Sequence, residues 1–165
     1  MAALLLFAGC HSTLPAGDYN SRLATPADSA RMSNIRLEAV TQGGNVLFSI
    51  PMQGDNRWCL LWNHSVAGFT VSDCFEIAGD VMYLVSSHQP DFAAGLGYIE
   101  GRGKLTSDGQ GGYIITDMYE PVPNNSLVLR VGSTAVNHRV WYQGKETSLS
   151  QFAAGQLVVL RLSGH

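Results

Sequence analysis

An all-β domain, mainly antiparallel and either a sandwich or barrel-like, is predicted by three observations. Short runs of β-branched and aromatic residues recur along the 165-residue chain, turn signals separate them at hairpin spacing, and 18 glycines accompany few strongly helical segments. The chain can bury one good core, so a single domain is expected.

The stretch from Arg57 to Ile77, RWCLLWNHSVAGFTVSDCFEI, anchors the reading. Two apolar, aromatic and β-branched runs flank a bend near Ala67-Gly68, each carrying one cysteine, which describes a stapled hairpin with Asn63, His64 and Ser65 beside its tip. A turn centred on Val66-Ala67 sets Cys59 directly opposite Cys74. A turn on Ala67-Gly68 instead sets Cys59 opposite Glu76, leaves Cys74 on the diagonal and requires a bulge for the bridge.

The domain is expected to occupy residues 34–165. Strands are predicted over residues 35–40 and 46–50, joined by the turn Gln42-Gly43-Gly44-Asn45, and then over the hairpin and residues 81–87, with Val81, Tyr83 and Val85 facing one side. Residues 88–111 are too glycine-rich for a regular element and too long for a turn. Further strands are predicted at 113–117, 126–131, 136–142 and 157–162. One short helix is expected from Ser148 as N-cap to Ala154, with Gly155 ending it. Trp58, Trp62 and Trp141 belong to the core or to strand faces.

Residues 1–10 form an apolar run closing on Phe7-Ala8-Gly9-Cys10, which resembles a lipoprotein signal segment with a lipobox, lipidated on Cys10. The run is shorter than the roughly 20 apolar residues a membrane span needs. It lacks a positive residue and has Phe7 where leucine is commonest; a free Cys10 on an ordinary apolar terminus is the other reading. His11, rather than Asp, after Cys10 favours the outer membrane. Residues 11–33, bearing Pro, Ala, Ser and Asp without periodicity, read as a tether. Removing Cys10 from the count of three cysteines leaves Cys59 and Cys74 as a pair, and an oxidising periplasm would bridge them. A two-thiolate metal site would want the close Cys-x-x-Cys spacing this pair lacks.

Charged residues make up 14% of the chain and the net charge of −3 has no block of one sign behind it. That distribution argues against nucleic acid as a partner, since phosphate binding requires a concentrated basic face.

His64, His88 and His138 sit at or near strand ends, as do Ser65, Asp73, Asp91, Arg102 and Arg139, and their convergence would make a ligand mouth. The competing reading has each satisfied separately: His64 and Ser65 by turn backbone, Asp73 by an arginine, Asp91 as an N-cap for Phe92-Ala93-Ala94. A hydrolase would use Ser65 with His88 or His138 and with Asp73 or Asp91. However, Ser65 has no Gly-x-Ser-x-Gly elbow, and an adjacent His64 on a strand points the other way. A metal site from the same histidines and aspartates has no local chelating spacing, so neither metal nor cofactor is expected. Arg102, between Gly101 and Gly103, suits a carboxylate ligand or an internal pair with Glu100 or Asp91. The loop 91–103, with Phe92, Leu96, Tyr98 and Ile99 in a glycine-rich setting, is the expected interaction surface.

Several of these segments occur in an order that carries a resemblance. Trp58-Cys59-Leu60, Asn63-His64-Ser65-Val66, Val71-Ser72-Asp73-Cys74-Phe75, Asp91-Phe92-Ala93-Ala94-Gly95-Leu96, Gly101-Arg102-Gly103, Gly111-Gly112-Tyr113, Glu120-Pro121-Val122-Pro123 and Leu129-Arg130-Val131-Gly132 together resemble the domain of unknown function 1850 family. The resemblance runs from about Asn34 to the end. It implies a small exported or membrane-attached domain, associated with the permease of TAXI-type tripartite (TRAP) solute transporters. The resulting expectation is a non-enzymatic periplasmic lipoprotein, held to a membrane only by its lipid. It would be an accessory of the TRAP permease or its TAXI solute receptor, acting through protein docking or organic-acid binding. An independent small-ligand or metal binder is the alternative, with a Ser/His hydrolase third.

Overall fold

A computed structural model describes residues 34–65, 69–89 and 99–164. Two antiparallel sheets pack face to face. The strands are β1 (Arg36–Thr41), β2 (Val46–Pro51), β3 (Arg57–Asn63), β4 (Thr70–Ala78), β5 (Val81–Gln89), β6 (Lys104–Ser107), β7 (Tyr113–Thr116), β8 (Glu120–Pro121), β9 (Ser126–Arg130), β10 (Arg139–Tyr142), β11 (Lys145–Ser148) and β12 (Leu157–Ser163). A short helix, α1 (Leu149–Ala153), precedes β12. The smaller sheet has the order β2-β1-β12-β9. The larger runs β11-β10-β3-β4-β5-β7-β6, with β8 on β5.

Period-two alternation makes the core. Leu37 and Ala39 of β1 and Val158, Leu160 and Leu162 of β12 point from the small sheet onto Trp58 and Leu60 of β3, Phe75 and Ile77 of β4, and Val140 and Tyr142 of β10. Trp58 stacks on Phe75 with ring centroids 4.5 Å apart. Tyr113, Ile115 and Met118 form a second buried cluster, with Leu84 and Leu105 against it.

The hairpin register follows the Val66-Ala67 arrangement: Cys59 faces Cys74, Trp58 faces Phe75, and Asn63 faces Thr70. The two cysteines are bonded, with a sequence separation of 15. The predicted helix is present; the Ser148 hydroxyl accepts from the Gln151 N–H, as an N-cap should.

Five details differ from the sequence expectations. The segment 88–111 contains the end of β5 and all of β6, whose four residues are too few to display an alternation. Strand β8 has two residues and leaves no pattern at all. The strand predicted at 136–142 begins only at Arg139, because Asn137 takes a positive φ of 50° and its N–H closes a turn onto the Ser133 carbonyl. Its partner β11, Lys-Glu-Thr-Ser, went unseen for want of apolar residues. The connection is a tight Gln143-Gly144 turn with φ of 47° and 75°, the left-handed pair that matches strand twist. In β5 a register shift opposite Cys74/Phe75 interrupts the expected run of Val81, Tyr83 and Val85.

Candidate functional site

The large sheet sorts the chemistry-bearing residues onto opposite faces, because side chains directly across a ladder share a face. On the inner face, Leu60 lies opposite Asp73, Asp73 opposite Ser87, and Ser87 opposite Ile115. On the outer face one row runs Trp141, Cys59, Cys74, Ser86, and the next runs Arg139, Leu61, Ser72, His88, Ile114, Thr106. Asp73 and His88, both candidate ligand groups, therefore stand on opposite sides of one sheet.

The inner cluster is a buried polar chain. The Ser87 hydroxyl donates to Asp73 Oδ1 at 2.7 Å and accepts from Gln89 Nε2 at 2.7 Å, with Ser87 and Gln89 both buried. Loss of hydration raises the Asp73 carboxyl above its ordinary value, against the lowering effects of the Ser87 hydrogen bond and the Arg102 charge. Arg102 donates from Nε and Nη2 to the two carboxylate oxygens of Glu120, so among the described residues its fork is closed by β8 and not by Glu100, while Asp91 lies outside the described residues. The Glu120 hydrogen bond is the main reason the guanidinium holds its proton still more firmly than usual. Gly103 makes this geometry possible. Its φ is +80°, and a Cβ would run into the Thr116 carbonyl and crowd Ile115 and Met118.

The outer cluster centres on His88. Its Nε2 is 2.9 Å from Asp108 Oδ2, and its ring meets Phe69 edge-on, with centroids 5.5 Å apart. Asp108 is fixed in turn, because its Oδ1 accepts the N–H groups of Gln110 at 2.8 Å and Gly112 at 2.9 Å. His88 first, and these amides after it, hold the Asp108 carboxyl below its usual range.

The remaining candidates are separate. His138 Nδ1 accepts the Gly132 N–H at 2.8 Å, which leaves the ring proton on Nε2, and burial pushes its pKa down. Its ring lies 5.9 Å from Trp62. Arg139 pairs with Glu146 at 2.9 Å and donates to Asn63 Oδ1 and the Asn137 carbonyl. The His64 N–H donates to the Phe69 carbonyl, and Ser65 is exposed at the hairpin turn. Asp91, Phe92 and Cys10 lie outside the described residues. The relays considered for Ser65 are not what the described residues assemble: His88 is engaged by Asp108, His138 by Gly132, and Asp73 by Ser87. Among the described residues, no group of three or more His, Cys, Asp or Glu could hold a metal, and no helix is long and apolar enough to cross a membrane.

Two acids were missed by the sequence reading. Asp108 announces itself locally, as Ser107-Asp108-Gly109-Gln110-Gly111-Gly112 has the composition of a side-chain-capped turn. Its partner His88 is 20 positions away and is brought to it only by the β5–β7 and β6–β7 ladders. Glu120 stood in the sequence only as part of the motif Glu120-Pro121-Val122-Pro123, and β8 is too short for its pairing with Arg102 to be read.

The family model described as Domain of unknown function (DUF1850) matches residues 59–149, more than half of the chain. The chain belongs to this family. The match opens on Cys59 and closes on the first residue of α1, so the DUF1850 region includes both cysteines of the bridge, His88 with Asp108, and Arg102 with Glu120. Strands β1, β2 and β12, three of the four strands in the small sheet, fall outside it. No curated protein and no solved structure matches the chain significantly.

Proposed function

We propose that this DUF1850 protein is a non-enzymatic, exported accessory of a TAXI-type TRAP solute transporter, lipid-anchored through Cys10 and acting by protein docking. The observation that carries the docking reading is a pair of exposed apolar side chains beside the Arg102–Glu120 clasp. Ile99, at 59% exposure, begins the turn that presents Arg102, and Tyr119, at 52%, immediately precedes Glu120. Large apolar groups presented to solvent around a fixed ion pair are the make-up of a protein contact, with an apolar centre and a polar border. Tyr119 is held there with a left-handed φ of 46°, a conformation an aromatic residue adopts only under constraint from its surroundings.

The arginines weigh toward docking over organic-acid capture. Arg102 is occupied by Glu120, Arg139 by Glu146, and Arg130 donates to the Gly155 carbonyl. The Cys59–Cys74 bond supports an oxidising compartment. The transporter itself enters from the family resemblance.

The test is crosslinking of the full-length lipoprotein in intact membranes, with Ile99→Glu and Tyr119→Glu compared against the parent at equal abundance and equal thermal stability. Recovery of a TRAP permease or its solute receptor, lost in both variants, is expected. Recovery of neither, while a known membrane complex in the same sample crosslinks efficiently, overturns the reading.

A further inference from the structure

We infer that the open edge of β9 is a self-association site, where a second copy of this chain pairs strand to strand about a two-fold axis through Val128. Strand β9 is an edge of the small sheet, and among the described residues it pairs only with β12. The Val131 N–H donates to the Gln156 carbonyl and its C=O accepts from Gly155, so Val131 turns its main chain toward β12. By alternation Leu129 and Leu127 do the same, and Ser126, Val128 and Arg130 direct theirs to the open side. The Ser126 N–H is taken by the Pro123 carbonyl. What remains for a newcomer is both main-chain groups of Val128 and of Arg130, and the Ser126 C=O.

That edge lacks the devices that protect the others. Strand β2 ends in Pro51 and its pairing is bulged opposite Ala39/Val40, β11 begins Lys145-Glu146, and β6 begins with Lys104. The one charge of β9, Arg130, is folded back onto the Gly155 carbonyl at 2.9 Å, away from the edge. Val128 is 69% exposed, the most exposed large apolar side chain among the described residues. It ends a row of valines crossing the outer face of the small sheet: Val46 faces Val40, Val40 faces Val159, and Val159 faces Val128.

The strand is self-complementary. Antiparallel pairing about Val128 sets Val128 against its own copy, Leu127 against Leu129, and Ser126 against Arg130, with no like charges opposed. The Val128 N–H and C=O groups exchange two hydrogen bonds, and the Arg130 N–H of each copy donates to the Ser126 carbonyl of the other, four in all. The valine row continues from one copy into the next, and Leu127 and Leu129, half-buried at the margin of the core, lose their remaining exposure. Such a contact is isologous and closed, so it yields a dimer and not a fibre.

The experiment pairs sedimentation with site-specific crosslinking of the full chain. The parent is expected at twice the monomer mass and Val128→Lys at the monomer mass, with the far-UV spectrum and melting temperature unchanged, because the side chain is on the surface. In a second arm, mild oxidation should convert Val128→Cys to a covalent dimer well beyond the background given by the parent. Val46→Cys, on the opposite edge, should stay at that background. A monomeric parent, a dimer that survives Val128→Lys, or a Val128→Cys adduct formed with a different protein would each overturn the proposal.

Discussion

Asp73 carries the most informative single charge. Desolvation raises its pKa in the folded chain, so between the ordinary carboxylate value of 3.8 and that raised value the native state holds a proton the unfolded state has released. The contribution to stability is therefore fully present below the unfolded pKa and is lost as pH rises through the folded one. Asp73→Asn keeps an oxygen for the Ser87 hydroxyl and has no proton to lose. Urea unfolding across the acid range should show the parent losing stability relative to this variant as pH climbs through the window, with Ser87 and Arg102 as the charged or polar groups facing the site. Parallel profiles would mean the carboxyl is as well solvated folded as unfolded. At this scale the sequence identified Asp73 and Arg102 and anticipated an arginine's charge near Asp73, but not the Ser87 hydrogen bond or the Glu120 clasp. An acid on a strand named itself by type, whereas its partner depended on which face the strand offered and on a two-residue strand with no pattern of its own.

The hairpin of β3 and β4 was legible at the scale of elements because two strong signals agreed: apolar runs of the right length and one cysteine in each. Closing a loop of this size stabilises a fold by about 3 kcal/mol in the chain-entropy model. The segment between β5 and β7 was illegible for the opposite reason. Its glycines read as irregularity, yet two of them present Arg102 and let β6 begin directly afterwards. Gly103→Ala puts a methyl group against the Thr116 carbonyl in a left-handed backbone, and the clash falls on main chain that is committed to the β6–β7 ladder. Chemical denaturation should show a loss of about 2 kcal/mol or more, in the range of backbone strain combined with overpacking. Gly101→Ala, which meets nothing within 4 Å at its Cβ, should cost less. Equal effects would show that the close approach to Thr116 is unimportant.

The whole molecule is a sandwich of unequal sheets, and the inequality produces its chemistry. The four-stranded sheet shares its core with β10, β3, β4 and Met82 of β5, while Tyr113 and Ile115 of β7 with Met118 carry a second core, and the polar chain of Asp73, Ser87 and Gln89 runs beside it. Alternating apolar runs predicted the layers, since each strand exposes its core face in the sequence. They carried no information on sheet order, which decides that His88 and Asp73 are separated by the thickness of a sheet and that Arg102 meets Glu120.

The proposed export beyond the reducing cytosol can be tested directly by trapping thiols in intact cells with a membrane-permeant alkylating agent before lysis. Peptides from the two hairpin strands would then be measured with and without later reduction. In an exported protein Cys59 and Cys74 are expected to escape alkylation until the reductant is added and then to label together. Recovery of both cysteines already alkylated, in cells whose known exported disulfides remain closed, would contradict it.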